Sequence, residues 1–450
     1  MQSALPPAAA PSPLKKLVAL AMMLGAVWLM PAQAQRVEDY ELAPVNYSSS
    51  QPQDLIAHLE QRLLRGELQL QGDGRNVLQT LMRELQIPVA SQMLVFSRTS
   101  LQRERITPAT PRAIYFSDDV YLGWVPGGLI EIASMDEQLG PVFYALDPRG
   151  EPLPGKPRFA RPGDCLRCHG GNFVRGIPGL FARSVFPDSR GEPLFRHGGE
   201  LVDHRTPFAQ RWGGWYVTGT HGTALHRGNV VAGEAGGELV VDHARGANIT
   251  DLAKFFSVDA YPAKTSDVVA LMVFEHQMAV HNALTKAAFE TRRMLAYQQN
   301  LQRELGEAVT DEPVYDSVKR VIEAQVQEVL DQLLFKDEAS LPAGGIQGSE
   351  AFQREFLRSA RRTRAGISLK DLELTTRLFR HRCSYVIHTR SFQALPAVLK
   401  GRILERLAQV LRPGAADARY AYLEAAEKKQ IAAILVETDA GFAAQWGQGN

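Results

Sequence analysis

Two cysteines and a histidine, in the order Cys165-Leu166-Arg167-Cys168-His169, carry more chemical information than any other stretch of this chain. In a C-x-x-C-H pattern each thiol can add to one vinyl group of a porphyrin, and the imidazole that follows can reach the iron. The spacing is tight because two sulfurs and one ring nitrogen must meet a single flat macrocycle. The same residue types have three other uses: a redox dithiol, a local disulfide, or half of a zinc site. The chain has 3 cysteines, and the third, Cys383, stands alone, so no second C-x-x-C can complete a zinc knuckle. The expected cofactor is therefore one covalent haem c on Cys165 and Cys168, with His169 as one axial iron ligand.

The second axial position decides the chemistry. A histidine or methionine there gives a closed electron carrier, whereas an open position admits peroxide, oxygen or other small ligands. Two histidines stand out as metal candidates. His221 sits in Thr218-Gly219-Thr220-His221-Gly222, where glycines let backbone approach a flat group. His276 lies in Glu275-His276-Gln277-Met278 on a long helical segment, where Val269, Met272, His276, Ala279, Ala283 and Ala287 share an apolar, mostly small face. The competing reading of His276 is a core histidine bonded to a neighbour. His281 is turned away from His276 on the same helix, so the two cannot easily serve one iron. Met278 is the other ligand type, on a face that also carries Glu275 and Asn282. Glu275 beside His276 is an acid–imidazole pair suited to proton transfer at an open iron, with a solvated helix carboxylate as the competing reading. His197, His204 and His243 have solvated surroundings in sequence. Arg175, Arg183, Arg205 and Arg211 are candidate partners for propionates, since guanidinium matches carboxylate geometry.

The elements that must position these groups change character along the chain. Leu55, Ile56, Leu59, Leu63 and Leu64 have helical spacing over 55–70, and a second helix is expected over 77–85, ended by Ile87-Pro88. Runs at 113–116, 120–125, 129–132 and 141–146 read as short strands separated by Asp118-Asp119, Pro126-Gly127-Gly128 and Asp147-Pro148-Arg149-Gly150. An antiparallel meander just before the cysteine motif is expected. The motif itself lies in a Pro/Gly-rich stretch, followed to about Gly246 by loops rich in glycine, aromatics, arginine and histidine. Ser266 or Asp267 can cap a helix to about Gln299. Pro313 at a first helical position opens another to about Phe335. Ser349 can cap a helix through about Ala360, and Ser368-Leu369-Lys370-Asp371 reads as a capping-box start. Pro396 opens a helix to Pro413-Gly414, and Tyr420 to Val436 is a last amphipathic helix. The fold class expected is α+β: a loop-rich mixed haem-binding half with short antiparallel strands, then a mainly α-helical C-terminal half.

The N-terminal residues add a compartment. Lys15 and Lys16 precede an apolar run from Leu17 to Met30, then Pro31 and Ala32-Gln33-Ala34. That is the pattern of a secretory signal peptide cleaved after Ala34, and the run is short for a membrane span. The expected organisation is 1–34 signal peptide, 35–300 haem c-binding region and 301–450 helical C-terminal region. A periplasmic location with no stable membrane span after cleavage follows. Lys plus Arg number 50 and Asp plus Glu 49, and this balance argues against nucleic acid or an anionic membrane surface as the main partner. Cys383 reads as a small buried apolar residue.

The pentapeptide resembles c-type cytochromes, and Gly176-Ile177-Pro178-Gly179-Leu180 is similar to the G-P-x-L turn that follows the haem site in the small ones. The long segment before the motif, the T-H-G stretch and the E-H-Q helix resemble a large family of exported bacterial monohaem c-type cytochromes over roughly residues 110–390. That resemblance implies haem-binding roles for Cys165, Cys168 and His169 and fixes no reaction. Three functions fit these readings. The first is redox electron transfer with a periplasmic partner protein. The second is a haem-dependent oxidoreductase, peroxidase- or oxidase-like, acting on a small-molecule substrate. The third is a haem-based sensor or interaction module. A di-haem peroxidase is disfavoured because only one C-x-x-C-H motif is present.

Overall fold

The computed structural model describes residues 38–150, 157–415 and 417–447. The signal-peptide segment 1–34 lies outside them. The first eight strands in chain order are β1 (Met93–Val95), β2 (Arg112–Phe116), β3 (Val120–Trp124), β4 (Ile130–Asp136), β5 (Gly140–Leu146), the separate antiparallel pair β6 (Arg183–Val185) and β7 (Gly199–Leu201), and β8 (Trp215–Tyr216). The centre of the described structure is a six-stranded antiparallel sheet in the order β5-β4-β3-β2-β1-β8. The meander β2 (Arg112–Phe116), β3 (Val120–Trp124), β4 (Ile130–Asp136) and β5 (Gly140–Leu146) follows the expected runs. The sequence reading missed β1 (Met93–Val95) and β8 (Trp215–Tyr216), which extend the sheet beyond β2. Both are too short to show an alternation of their own.

Successive strand residues point to opposite faces, and both faces are covered. Leu94, Tyr115, Leu122, Ile132 and Tyr144 pack against α1 (Leu55–Leu64) and α2 (Gly74–Glu84). Val95, Ile114, Phe116, Tyr121, Ala133 and Phe143 pack against α4 (Val268–Leu305). A sheet buried on both sides shows near-continuous apolar strands instead of alternation, which is how these strands read in sequence.

Helix α4 is the axis of the molecule. The Asp267 carboxylate caps it by accepting from the Val269 and Ala270 N–H groups, and Gly306, with φ of 70°, ends it in the left-handed conformation that glycine adopts without strain. Its first eleven residues are all buried, and the first seven, Val268 to Phe274, are apolar all round, as suits a helix at the centre of a core. Polar contacts fix it against the sheet. Gln277 Nε2 donates to Tyr121 Oη at 2.7 Å, Tyr385 Oη donates to Gln277 Oε1 at 2.5 Å, and Tyr121 Oη lies 2.8 Å from His281 Nδ1. Ser266 does not cap; its hydroxyl donates to the Tyr216 carbonyl at 2.6 Å and accepts from the Leu94 N–H at 2.9 Å, tying β1 to β8.

Beyond the sheet the structure is helical, so the class is α+β. Helix α4 passes through residue 300 without a break and packs on α5 (Asp316–Leu333). Helices α6 (Glu350–Phe356), α7 (Arg390–Gln393), α8 (Ala397–Leu411), α9 (Ala425–Thr438) and α10 (Ala440–Gly447) complete this side. Helix α5 starts three residues after Pro313, with Tyr315 at the N-cap position and no side-chain cap bond. The capping-box segment at Ser368 forms its reverse bond, Ser368 N–H to Asp371 Oδ2 at 2.9 Å, but no helix follows. Lys370 is instead drawn into the core, where its ammonium meets Asp118 at 2.6 Å and lies over the Phe356 and Tyr385 rings. Among the described residues no helix is long and apolar enough to cross a membrane.

Candidate functional site

The cysteine motif forms α3 (Cys165–His169), a short helix that begins on a turn in which the Cys165 N–H donates to the Pro162 carbonyl at 3.2 Å. No residue of α3 is fully buried. Cys165 is half-buried against the core and Cys168 is exposed, and both are free thiols. Three residues apart on a helix, the two share a face. Burial pushes the Cys165 thiol up to about 11, with Glu131 and Asp164 adding to the rise. Reactive dithiols have a depressed first thiol held as thiolate, so this environment disfavours a redox dithiol. Gly170 follows the histidine because an added Cβ would run into the Tyr40 hydroxyl and stand 2.9 Å from the Leu166 carbonyl.

The His169 ring lies between two aromatic rings, with centroids 4.5 Å from Phe143 and 4.9 Å from Phe181. Its Nδ1 is 2.8 Å from the Gly179 carbonyl oxygen. A carbonyl only accepts, so Nδ1 carries the proton. Burial holds the imidazole below its ordinary range, hence neutral. The Nε2 lone pair is then left over, and no hydrogen bond to it is found among the described residues. Gly179 returns the contact, its N–H donating to the His169 carbonyl at 2.8 Å. This pair of bonds fixes the tautomer, as the outer partners of metal-binding histidines do.

Beneath the motif, on the same sheet face as Phe143, Arg112 reaches across β3 to Glu131 at 2.6 Å. The path is open because residue 123 is glycine, and a Cβ there would occupy the space of the Arg112 guanidinium.

Phe181 also lines a cavity of about 230 Å³ with Leu180, Ala182, Met278, Ala279 and Ala283. Arg175, Arg205 and Lys286 stand at its edge, paired with Glu328, Asp203 and Glu328 respectively. Outside it the Arg183 guanidinium sits 4.7 Å from both the Phe173 and Phe195 ring centroids. Phe173, Phe195 and Leu201 are 49%, 52% and 43% exposed. They form an exposed apolar rim beside the cavity.

The two histidines proposed from sequence as second metal ligands make contacts of their own. His276 is fully buried, with Nε2 2.8 Å from Ser384 Oγ, Nδ1 3.4 Å from His204 Nδ1 and its ring stacked 3.9 Å from Phe335. His221 is buried with its ring 4.8 Å from His226, and its Nε2 accepts the Asn248 N–H at 3.1 Å. Among the described residues no hydrogen bond or ring contact joins either to the motif. Met278, on the cavity wall, is the candidate donor that the fold brings near Phe181. Glu275 is not solvated: it is buried and paired with the equally buried Arg211 at 2.5 Å. Burial pushes its carboxyl up to about 7, with Arg211 pulling the other way. Arg211 is therefore committed to Glu275, while Arg175, Arg183 and Arg205 remain around the motif and cavity. His204, read as solvated, is buried against His276 and Phe335.

Gly179, Phe143 and Phe181 escaped the sequence reading as functional residues. The G-I-P-G-L run held the signal for Gly179, whereas Phe143 is one aromatic in a strand like any other. Cys383 is buried, as expected. Among the described residues no three His, Cys, Asp or Glu side chains gather closely enough to hold a bare metal ion. No family model, curated relative or solved structure matches this chain.

Proposed function

We propose that this chain is a c-type haem protein of the bacterial periplasm, binding one covalent haem and passing electrons to and from a partner protein. The observation that carries the reading is His169. A neutral imidazole whose Nδ1–H is committed to the Gly179 carbonyl presents Nε2 as a ready axial donor, four and one residues from two free thiols. Cys165 and Cys168 would hold the ring through thioethers, and the exposed Phe173, Phe195 and Leu201 would offer it apolar surface. The cavity alone, about 230 Å³, is below the ~300–1,000 Å³ of usual small-molecule sites, so the rim has to contribute. Arg175, Arg205 and Lys286 supply cations for propionates, and Met278 supplies a soft donor on the same wall. Bound haem supplies a one-electron redox centre whose potential follows its axial ligands and its burial. Phe143 and Phe181 fix the plane of the His169 ring and keep water from its faces. Burial, with Glu131 adding to it, keeps the Cys165 thiol protonated until it is consumed.

The test is the visible spectrum of the full chain purified from a bacterium that attaches haem, oxidised and then reduced, followed by carbon monoxide. Haem colour that stays with the polypeptide on a denaturing gel, and is lost in the Cys165→Ser/Cys168→Ser variant, supports covalent attachment. A reduced low-spin spectrum that ignores carbon monoxide supports the electron carrier. Rapid carbon monoxide binding favours instead a haem-dependent oxidoreductase with an open position, a reading that the cavity beside Phe181 keeps in play. Colourless protein overturns the proposal.

A further inference from the structure

Between α4 and the motif runs one continuous chain of hydrogen bonds, and it passes through Asn282. The Asn282 amide grips Leu180 from both sides. Its Oδ1 accepts the Leu180 N–H at 2.8 Å and its Nδ2 donates to the Leu180 carbonyl at 2.6 Å. A primary amide matched to both backbone groups of one residue acts as a strand neighbour would, fixing position and direction together. The residue before Leu180 is Gly179, which exchanges two bonds with His169. Gly179 also has no room to move sideways: a Cβ on it would stand 2.7 Å from Val174 Cβ and 3.1 Å from Asn282 Oδ1. The carbonyl that sets the His169 tautomer is thus clamped between Val174 and a side chain of the longest helix.

We infer that Asn282 is the positioning residue for His169, holding the Gly179 carbonyl so that the imidazole keeps its proton on Nδ1 and offers Nε2. The inference rests on the haem reading for its consequence, though not for its geometry. A strong Nδ1–H···O bond makes the imidazole a better electron donor and favours the oxidised iron. Loosening Leu180 weakens that bond, so the midpoint potential rises.

The experiment compares the native full chain with Asn282→Ala, Asn282→Asp and Asn282→Gln. The Asp variant keeps an acceptor for the Leu180 N–H but sets a carboxylate against the Leu180 carbonyl. The Gln variant restores the amide one methylene further out. Redox titration of the haem-loaded proteins is expected to show a rise of about 59 mV, a tenfold change for one electron, for Ala and Asp, with partial return for Gln. Folded variants with the native potential overturn the inference. If the purified native chain carries no haem, the haem reading fails by itself. The inference is then decided by ¹⁵N-histidine NMR, in which His169 must be the Nδ1–H tautomer in the native chain and a mixture in Asn282→Ala. An unchanged tautomer in that variant refutes it.

Discussion

Replacing Arg211 by methionine should destabilise this protein in a way that depends on pH, and the size follows from its contacts. The guanidinium meets Glu275 at 2.5 Å, donates to the Thr206 carbonyl at 2.8 Å and to the His204 carbonyl at 3.1 Å, and is 1% exposed against 2% for Glu275. Removing one partner of a buried ion pair costs ~3–5 kcal/mol, because the other charge is left without compensation. The two orphaned carbonyls add ~1 kcal/mol each. Glu275 has its folded pKa raised from 4.5 to about 7. A raised group contributes its stability fully below the ordinary value and loses it as pH rises through the folded one. Arg211 is what restrains that rise, so in the variant the carboxyl goes higher still. At pH 5 it is protonated in both proteins and the variant should lose only ~2 kcal/mol, the carbonyl part. Above pH 7 the native carboxyl ionises against Arg211 while the variant's cannot, and the gap should widen by ~1.4 kcal/mol per pH unit. Urea denaturation at pH 5, 7 and 8 measures it. The double variant Arg211→Met/Glu275→Met should recover much of the loss at pH 8, since it buries no charge. A gap equal at pH 5 and 8, or a double variant no more stable than the single one at pH 8, would refute the reasoning.

Two further outcomes are expected. In Gly123→Ala the new methyl displaces the Arg112 guanidinium from Glu131, costing about 1 kcal/mol for a partly exposed pair; an unchanged urea midpoint would contradict the crossing over Gly123. Burial holds His204, His226, His281 and His388 at about 4, 3, 3 and 4. Depressed folded values give stability that is complete above the ordinary 6.5 and lost as pH falls through 4 to 3, so His281→Phe, which removes one such group, should gain on the native chain in melting temperature as pH falls from 6.5 to 4; a difference between the two that stays constant over that range would count against neutral burial.

Much of the frame was legible because it is local. The meander from Arg112 to Leu146 announced itself through apolar runs and Gly/Asp turns, and α4 through an acidic cap and a length of apolar residues. What escaped depends on distant partners. A three-residue β1 and a two-residue β8 exist because each finds the other's edge, and nothing within either stretch encodes that. Glu275 looked solvated because its neighbours in sequence do not reveal Arg211, 64 residues upstream. His276 looked free to meet a flat group, but Ser384 and Phe335 come from segments far along the chain. The motif itself was legible in full, since five consecutive residues define it, whereas the carbonyl that orients His169 arises from a loop closing back on the helix.

Pairing of Val95 with Trp215 and of Leu94 with Tyr216 joins segments about 120 residues apart, and contacts of that range form slowly because loop closure must precede them. The four-stranded meander can assemble early from its own hairpins. Strand β1 covers the meander at β2, but the outer edge of β1 stays open until β8 is placed, and the two thiols lie within the loop which that last pairing closes. While that edge is open the motif is reachable on a slack loop beside a sheet that has already formed, and the proposed attachment of haem to the cysteines would fall in that interval.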